Sequence, residues 1–572
     1  MLLNDSNKPK NGYEILFQFF KKLEIKHFFG VTGGGVVHFL KYISPHATDE
    51  PSFLTIDEYS AGYAPLGHFL TSGKVAACVS TLGAATKLLT CGLSDAKQHD
   101  IPSIYIVPAY DKSLDGRASL QDSSHFGSNV INQLRAESPE GVFVFDQLDN
   151  IPTLLHQAEI QLSSHKPVVF VLTHSALSTE ISTDASPSSL SIEFNENTSN
   201  NVDDFINNFQ RSSHKKKITV LVGEEMNLYS DAKLLIDQLC EKIHPYLIWS
   251  MNGANAVSRN NRYGYGYLGF GGNDLANQHF NNLGDDDVLL VLGACPDEYT
   301  VNLQDFTAGQ TFFCTNLTDG YGQINGSYSH RSQLKYEQVN CSLKIFVEEI
   351  TKEQYSFENL AAPFAPSNLN TRIISTPDKS YTNMETFYQR LDLWWPENSI
   401  AFSDVCLAYK DRQYVTQRPN DNIDFHALYR GSAMGYVLGA AVGSKIADMS
   451  KNVFTFTGDG CFKLFAGSLA EAAHLGITLF VLNNSKFSIV DQGLKTILPD
   501  TPSEFWHSTV KSIDYCLIAQ ACGWRSAKLN IDLSNLEELL DSTLTQPNKS
   551  LLIEVSVDPD QLLGVNPRVH NL

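Results

Sequence analysis

Two short polar motifs near the carboxyl end of the sequence combine oxygen ligands with glycine. The first is Gly458-Asp459-Gly460, and the second ends in Asn484. Asp459 offers an anionic oxygen and Asn484 an amide oxygen, both suited to Mg²⁺, and glycine lets a phosphate approach the backbone amides at a helix start. A magnesium ion completed by diphosphate oxygens fits this set. Taken alone, Gly-Asp-Gly is more often a plain turn, and it is the asparagine pair at the end of the next strand that favours the ligand site.

The residues around these motifs predict the elements that hold them. The segment VFTFTGDG (453–460) indicates a buried strand that stops at a tight turn, and ITLFVLNN (477–484) indicates a second buried strand. Between them, residues 461–476 place apolar positions at three- and four-residue steps, which predicts a helix packed on a sheet. Parallel strands joined by a right-handed crossover end side by side, so we expect Asp459 and Asn484 to meet at one sheet edge.

The paired motifs resemble the signature of enzymes that use thiamine diphosphate, in which a GDG turn is followed, one strand later, by NN. The spacing here is slightly shorter than in acetolactate synthases. The resemblance implies that the metal is held by Asp459, Asn484 and the backbone carbonyl of Lys486. It also implies that the cofactor is bound by Glu58, Gly83, Asp404, Met434, Gly458, Gly460, Cys461 and Asn484.

Residues 57–107 carry a second, longer resemblance. Ala61, Ala64 and Gly67 recur on one helical face, which predicts close approach of another helix. The stretch is similar to the HEQxAxxxAxGYAR…TGKxGVxxxTSGPGxTN block of acetolactate synthases, pyruvate oxidases and related decarboxylases. The positions in register are Glu58, Ala61, Gly67, Gly73, Lys74, Val75, Thr81, Gly83, Gly92 and Asp95. The sequence departs from the family block at Leu70, Ala84-Ala85 and Leu88. These departures bear on the identity of the substrate more than on binding of the cofactor.

Glu58 is the acid that this resemblance singles out. A glutamate in a first helical turn commonly complements the helix dipole and nothing more. In the thiamine enzymes, a buried glutamate bonded to the aminopyrimidine ring favours the tautomer in which the amino group of the cofactor can take up a proton. The resemblance therefore implies that Glu58 activates the cofactor.

Two further segments supply candidate residues. The polar loop SLQDSSHFGSN (119–129) resembles the FQE segment of acetolactate synthases, which implies that Gln121 points at the cofactor and makes it a catalytic candidate. The loop lacks the paired histidines of pyruvate decarboxylases, and its lone His125 is a second candidate because titrating groups cluster at such loops, although a lone loop histidine is commonly just exposed. Residues 430–447 predict a helix of small residues. Met434 there matches the bulky residue that holds the cofactor bent, the alternative being that it fills a gap in the core.

Composition limits the class of protein. The chain has 572 residues, 42% of them apolar, and a formal net charge of −21. Such a charge disfavours nucleic acid as a partner, because phosphates would be repelled. No apolar run approaches the ~20 residues that a membrane helix needs, and the N-terminal residues show no apolar leader. We therefore expect no membrane partner and a cytoplasmic location.

The pattern of strands and helices predicts an α/β fold. Two polar stretches, 178–204 and 357–381, lack periodicity and are predicted linkers. They divide the chain into three domains, 1–180, 200–356 and 382–560, which the resemblance implies are a pyrimidine-binding domain, a middle domain and a diphosphate- and magnesium-binding domain. We expect three doubly wound domains with mostly parallel sheets. The resemblance implies a homodimer or homotetramer, with active sites at the subunit interface.

The predicted function is decarboxylation of a 2-oxo acid such as pyruvate, with acyl transfer to a carbonyl acceptor, as in acetolactate synthases. Decarboxylases that release an aldehyde usually have glutamate where Val490 stands, and its absence favours carbon–carbon bond formation. Alternatives within the family are plain decarboxylation and hydrolysis of a diketone. From other classes come a flavin or nicotinamide oxidoreductase and a catalytically idle subunit. Residues 294–296 lack the arginine of flavin-using relatives, which argues against FAD.

Overall fold

Three six-stranded sheets follow one another along the chain. The computed structural model describes residues 11–43, 52–180, 201–324, 326–332 and 336–571. All strand pairs within the sheets for which a register is given are parallel, and helices connect the strands. The predicted α/β class with mostly parallel sheets is thereby confirmed. The strands of each sheet lie within one of the three predicted domain ranges, whose boundaries remain a prediction.

The first sheet has the strand order β2-β1-β3-β4-β6-β5. Its strands are β1 (His27–Gly30), β2 (Ser52–Thr55), β3 (Ala77–Val79), β4 (Ile104–Ala109), β5 (Val142–Phe145) and β6 (Val168–Thr173). The helices of this region are α1 (Gly12–Lys22), α2 (Val37–Leu40), α3 (Glu58–Ser72), α4 (Ala84–Leu89), α5 (Cys91–Gln98), α6 (Val130–Glu137), α7 (Ile151–Ser163) and α8 (His174–Ser178).

The second sheet has the order β12-β11-β10-β7-β8-β9. Its strands are β7 (Lys217–Val222), β8 (Tyr246–Trp249), β9 (Gly264–Tyr267), β10 (Asp287–Leu292), β11 (Gln310–Thr315) and β12 (Tyr336–Asn340). The helices are α9 (Val202–Ser213), α10 (Ala232–Ile243), α11 (Asp274–Asn281), α12 (Glu298–Val301), α13 (Tyr321–Ile324), α14 (Ser327–Arg331) and α15 (Leu343–Ile350). Val220 and Val222 pack in one apolar cluster and Leu221 in another, so both faces of this sheet are covered.

The third sheet has the order β14-β13-β15-β16-β18-β17. Its strands are β13 (Ser399–Ser403), β14 (Ile423–His426), β15 (Asn452–Gly458), β16 (Ile477–Asn483), β17 (Arg525–Lys528) and β18 (Leu551–Ser556). The helices are α16 (Met384–Trp394), α17 (Ala408–Thr416), α18 (Val437–Ala447), α19 (Asp459–Phe462), α20 (Ser488–Ile497), α21 (Tyr515–Ala521) and α22 (Leu536–Thr545). The two buried strands predicted around the GDG and NN motifs are β15 and β16.

The described residues form two compact units. The first contains residues 11–43, 52–180, 428–451 and 467–477, and the second contains the remaining described residues from 201 onward. Most of the predicted linker 178–204 lies outside the described residues. The predicted linker 357–381 contains no helix and no strand longer than an isolated bridge, but its Asn370 is buried and donates to the carbonyl of Tyr414 at 2.7 Å. Among the described helices, none has the length and apolar character required to cross a membrane.

Two helix predictions were wrong in extent. Residues 461–476 do not form one helix: α19 ends at Phe462 and is followed by separate 3₁₀ turns, of which the first contains Gly467. Glycine in a helix interior is unfavourable because its backbone loses more freedom than that of other residues. The helix predicted over 430–447 begins only at Val437, because Ser432 and Gly435 have φ angles of 51° and 88°.

The small residues predicted on the helix after Glu58 do bring another helix close. In the first unit α3 packs on α18, and a Cβ on Gly67 would lie 1.9 Å from the carbonyl oxygen of Ala440. The contact is reciprocal, since a Cβ on Gly443 would lie 1.8 Å from the carbonyl oxygen of Ala64. The two helices therefore meet backbone to backbone, and α18 fixes the segment that contains Met434 relative to α3.

Candidate functional site

The carboxylate of Asp459 joins the ends of two neighbouring strands, β15 and β16. Its Oδ2 accepts a hydrogen bond from the backbone N–H of Ser485 at 2.7 Å, and its Oδ1 accepts one from Gly460 at 2.9 Å. Asn484 Oδ1 accepts from the N–H of Lys486 at 3.0 Å. The structure thus brings Asp459, Asn484 and Lys486 together at one sheet edge, as expected from the order of the strands. Their roles as metal ligands remain a prediction.

The donor set at this edge fits a magnesium ion and a diphosphate. Carboxylate and amide oxygens keep a further lone pair after accepting one N–H bond, so both remain available to a hard cation. Burial raises the pKa of the Asp459 carboxyl, and the N–H groups of Ser485 and Gly460 oppose that rise. A divalent cation beside Asp459 would compensate its buried charge.

Gly460 lies against a neighbouring side chain. A Cβ at this position would come 2.4 Å from a ring carbon of Phe487, on the loop that follows Asn484. A larger residue would have to displace the ring of Phe487, which is 39% exposed, from its contact with the Asp459 turn. Gly458, the other glycine of the motif, ends β15, and a Cβ there would meet only Cys406, at 3.3 Å.

Asp404 holds the turn after β13 against β15. It is fully buried, its Oδ2 accepts from the hydroxyl of Thr457 at 2.7 Å, and its Oδ1 accepts from the N–H of Val405 at 2.8 Å. The thiol of the buried Cys461 lies 3.3 Å from the carbonyl of Val405, and burial raises its pKa. This geometry gives Asp404 a part in shaping the turn. Direct contact of Asp404 or Cys461 with a cofactor stays a prediction.

In the first unit, Glu58 is the first residue of α3 and is half-buried. The chain alone does not enclose its side chain, in contrast to the burial expected from the sequence. The neighbouring Tyr59 donates its hydroxyl to the carbonyl of Met434 at 2.6 Å. Tyr59 was missed from the sequence, because a tyrosine beside a candidate acid carries no signal of a partner 375 residues away.

Gln121 packs against Gly83. A Cβ on Gly83, which has a φ of 76°, would lie 3.2 Å from Gln121 Cγ. Gln121 itself has a φ of 58°, and its side chain is exposed. His125 is also exposed, with its ring centroid 3.8 Å from that of Phe126. The structure therefore joins two of the predicted positions, Gly83 and Gln121, whereas the described contacts of His125 give it no link to Glu58.

A buried acid ties the segment before Met434 to helix α5. Asp95 accepts from the N–H of Gly431 at 2.8 Å and from the hydroxyl of Tyr63 at 3.2 Å. Burial raises its pKa to about 6, although these hydrogen bonds and the charge of Arg430 act in the opposite direction. Family register was the only sequence signal for Asp95, and it did not indicate this partner.

Two glutamates occupy the carboxyl edge of the second sheet, beside the β7–β10 boundary where the strand order reverses. Glu225 accepts hydrogen bonds from the hydroxyl of Thr315 at 2.7 and 2.9 Å and from the N–H of Asn316 at 2.9 Å. The hydroxyl of Ser250 lies 3.4 Å from Glu224. Such a crevice is where open α/β sheets bind dinucleotides, and carboxylates there would repel a diphosphate.

Comparison with known proteins gives matches at both ends of the chain. Residues 10–128 match the family described as "Thiamine pyrophosphate enzyme, N-terminal TPP binding domain", and residues 408–555 match its "C-terminal TPP binding domain". The first range contains Glu58, Gly83 and Gln121, and the second contains Asp459 and Asn484. Of the predicted site residues, Asp404 alone lies outside the matched ranges, just before the second.

Individual proteins are similar over more of the chain. A probable acetolactate synthase large subunit from Methanococcus aeolicus is 21% identical over 97% of this chain and 94% of its own length. A 3D-(3,5/4)-trihydroxycyclohexane-1,2-dione hydrolase from Bacillus thuringiensis is 22% identical over 60% of this chain and 58% of its own. The solved structure of a thiamine diphosphate-dependent 4-hydroxybenzoylformate decarboxylase from Rhodococcus jostii shares the fold, with a TM-score of 0.74, 16% identity and coverage of 96% of this chain and 99% of that one.

Proposed function

The chain belongs to the thiamine pyrophosphate (thiamine diphosphate) enzyme family, and on that basis we propose that it decarboxylates a 2-oxo acid, such as pyruvate, and transfers the acyl group to a carbonyl acceptor. The observation that carries this proposal is the similarity to acetolactate synthases over 97% of the chain. The pairing of Asp459 with the Asn484 loop supports the cofactor.

The third sheet supplies the site for the charged end of the cofactor. Asp459 and Asn484 offer side-chain oxygens to Mg²⁺, and Lys486 offers its backbone carbonyl. The amides in the first turn of α19 would bind the diphosphate, with that of Gly460 shared with Asp459 Oδ1. Asp404 and Thr457 hold the neighbouring turn in place. These residues bind and orient, and none of them needs to move a proton.

The first unit supplies the group that handles protons. When bound, thiamine diphosphate provides the carbon nucleophile that adds to the 2-oxo group and the electron sink for decarboxylation. Glu58 would hold a proton at the aminopyrimidine ring nitrogen, which controls the basicity of the adjacent amino group. Tyr59 fixes the backbone of Met434, whose side chain would support the bent shape of the cofactor. Gln121, beside Gly83, would point at the cofactor.

Val490 favours transfer over release of an aldehyde. It lies in the first turn of α20 with 54% of its surface exposed, so its side chain faces outward from the chain. An apolar residue there donates no proton, and the decarboxylated acyl group remains available to a second carbonyl. We therefore place ligation ahead of plain decarboxylation.

Product analysis tests the reaction. The protein is incubated with thiamine diphosphate, Mg²⁺ and a panel of 2-oxo acids, with and without a second carbonyl compound, and products are identified by mass spectrometry. Acetolactate or a mixed ketol would support the proposal, and acetaldehyde alone from pyruvate would favour plain decarboxylation. Asp459→Ala serves as the control without a cofactor site. No turnover of any 2-oxo acid by wild-type protein that has bound the cofactor would contradict the proposal.

Hydrolysis of a cyclic diketone is a second candidate, favoured by the similarity to the trihydroxycyclohexanedione hydrolase. That similarity spans a smaller part of both chains than the similarity to acetolactate synthases, so we rank it second. Cyclohexane-1,2-dione is a suitable probe, because addition of water across the bond between its carbonyl carbons gives 6-oxohexanoate. Formation of this acid in place of a ketol would reverse the ranking.

We further propose that the active enzyme is a cytoplasmic homodimer or homotetramer. The resemblance to thiamine enzymes implies that Glu58 of one subunit serves the diphosphate site of another. The half-exposed position of Glu58 within the chain supports this arrangement. Light scattering of the purified protein measures the mass, and a monomer with full activity would contradict the proposal.

A further inference from the structure

Three linked side chains hold the loop that provides the backbone carbonyl of Lys486. The family resemblance does not account for them. Lys486 Nζ lies 3.2 Å from Asp491 Oδ2, and the hydroxyl of Ser508 donates to Asp491 Oδ1 at 2.6 Å. We propose that Asp491 is a positioning residue that sets the Lys486 carbonyl for Mg²⁺. The inference rests on the proposed function, because it needs the metal site assigned there.

Asp491 is built into the protein interior. It lies in α20 and is 1% exposed, and Ser508 is 5% exposed. A buried carboxylate is costly unless it is paired and hydrogen-bonded, and here Lys486 provides the charge and Ser508 the hydrogen bond. The side chain of Lys486 is 30% exposed, so its stem reaches inward to meet Asp491 instead of extending into water. This pairing orients the residue whose carbonyl is the candidate ligand.

The backbone on both sides of Lys486 is fixed by the segment around Ser508. The N–H of Phe487 donates to the carbonyl of Ser508 at 2.7 Å, and the N–H of Val510 donates to the carbonyl of Ser485 at 2.8 Å. Lys486 itself forms an antiparallel bridge with Thr509. Asp491 thus connects the Lys486 side chain to the same segment that holds its backbone, and loss of this connection would let the carbonyl turn.

Asn484 also restrains Lys486. Its Oδ1 accepts a hydrogen bond from the N–H of Lys486, so the amide of Lys486 is bound to one candidate metal ligand. The carbonyl of Lys486 is the next candidate ligand along the chain. When groups that orient metal ligands without touching the metal are replaced, the metal affinity typically falls by roughly 10- to 100-fold. Asp491 is expected to behave in that way.

The test measures magnesium affinity in Asp491→Asn. The variant keeps the size of the side chain and an oxygen for Ser508 but removes the charge that pairs with Lys486. With thiamine diphosphate at saturation, Mg²⁺ is titrated and binding is followed by intrinsic fluorescence. We expect the apparent Kd for Mg²⁺ to rise about tenfold or more. The melting temperature of the cofactor-free protein, measured alongside, reports on the fold independently of the metal.

The matched control is Asp231→Asn, which removes the ion pair of Asp231 with Lys344, at 2.7 Å, beside the second sheet. This variant should bind Mg²⁺ like the wild type. If Asp491→Asn also keeps wild-type affinity, the positioning role is overturned. If wild-type protein binds no thiamine diphosphate at any Mg²⁺ concentration, the proposed function itself fails.

A second variant tests the positioning role of Asp491 if Asp491→Asn does not fold. Ser508→Ala removes the hydrogen bond at the other end of the chain and leaves the charge pair of Lys486 and Asp491 in place. We expect a smaller rise in the apparent Kd for Mg²⁺, of a few fold. An unchanged Kd in folded Ser508→Ala would then count against the proposal.

Discussion

The hydroxyl of Tyr59 donates a hydrogen bond to the backbone carbonyl of Met434 over 2.6 Å. This bond links the first turn of α3, where the candidate acid Glu58 lies, to the residue proposed to support the bent cofactor. In addition, α3 and α18 pack against each other at glycines. The two segments are therefore joined by a hydrogen bond and by a close backbone contact. The relative position of Glu58 and Met434 is thereby fixed within a single chain.

Removal of the Tyr59 hydroxyl should weaken cofactor binding. In Tyr59→Phe the Met434 carbonyl loses its donor, at a cost of about 1 kcal/mol, or roughly fivefold in affinity for thiamine diphosphate. A fluorescence titration measures the change. Tyr355→Phe, which removes the hydrogen bond of a tyrosine hydroxyl to Asp203, is the control and should bind normally. Equal affinities in all three proteins would show that Met434 does not depend on Tyr59.

Glu58→Gln should separate binding from turnover. The amide can still bond to a ring nitrogen but cannot give up a proton, so the cofactor should bind while kcat falls by about 100-fold or more. Asp459→Ala should instead lose cofactor binding, because the carboxylate proposed for Mg²⁺ is gone. Calorimetric titration with thiamine diphosphate, combined with turnover of 2-oxo acids, distinguishes the two. Full activity in Glu58→Gln would mean that another group activates the cofactor.

Gly67→Ala should destabilise the protein although alanine favours helices. The new methyl carbon would lie 1.9 Å from the carbonyl oxygen of Ala440, and overpacking of this kind costs about 1–3 kcal/mol or more. Gly467→Ala is the control, because a Cβ at this exposed site meets nothing within 4 Å. Thermal unfolding measures both. A Gly67→Ala variant as stable as the control would contradict the close contact of the two helices.

Asp95→Asn should become stabilising as the pH rises. The folded-state pKa of Asp95 is raised from 3.8 to about 6, so the wild type loses stability as the pH rises through this window and the carboxyl ionises inside the protein. The asparagine variant avoids that cost. The stability of the variant relative to the wild type should increase from about pH 4 to about pH 6, by about 3 kcal/mol at most, and then level off. Melting curves of both proteins across this range provide the measurement, and a constant difference would show that Asp95 does not titrate there.

The purified protein should be colourless and should not bind FAD. Glu225 and Glu224 occupy the edge of the second sheet where a dinucleotide diphosphate would lie, and like charges repel. The visible spectrum, and a titration with FAD beside one with thiamine diphosphate, check this expectation. Stoichiometric flavin in the purified protein would instead support the oxidoreductase alternative.

The strands that carry the candidate metal site could be predicted because their signal is local. Residues 453–458 and 477–483 are continuous apolar runs, and connection rules for parallel sheets then placed Asp459 beside the Asn484 loop. The small residues on α3 predicted a close helix for the same reason, since their spacing is visible along a few turns. In each case the physical cause lies within one short segment.

What could not be predicted depends on partners far along the chain. Asp491 gives no hint in sequence that Ser508 will donate to it, and Asp95 gives none of Gly431. The break in the helix predicted over 461–476 and the late start of α18 have a local cause, in Gly467 and in the positive φ angles of Ser432 and Gly435. The prediction gave more weight to apolar periodicity than to these residues. The conformational preferences of the backbone nevertheless determine where the helices begin and end.

The glycine contacts between α3 and α18 also limit how this sequence can change by mutation. In a saturation library, positions 67, 439 and 443 should accept almost nothing but glycine, since a Cβ at each would come within 1.9, 2.1 and 1.8 Å of a carbonyl oxygen. Neither helix has an exposed residue, so the other positions on both helices should accept only replacements of similar size and polarity. In descendant sequences the three glycines would then stay constant while the residues around them exchange for similar ones, and this pattern would serve as a marker for recognising the same pairing in distant homologues.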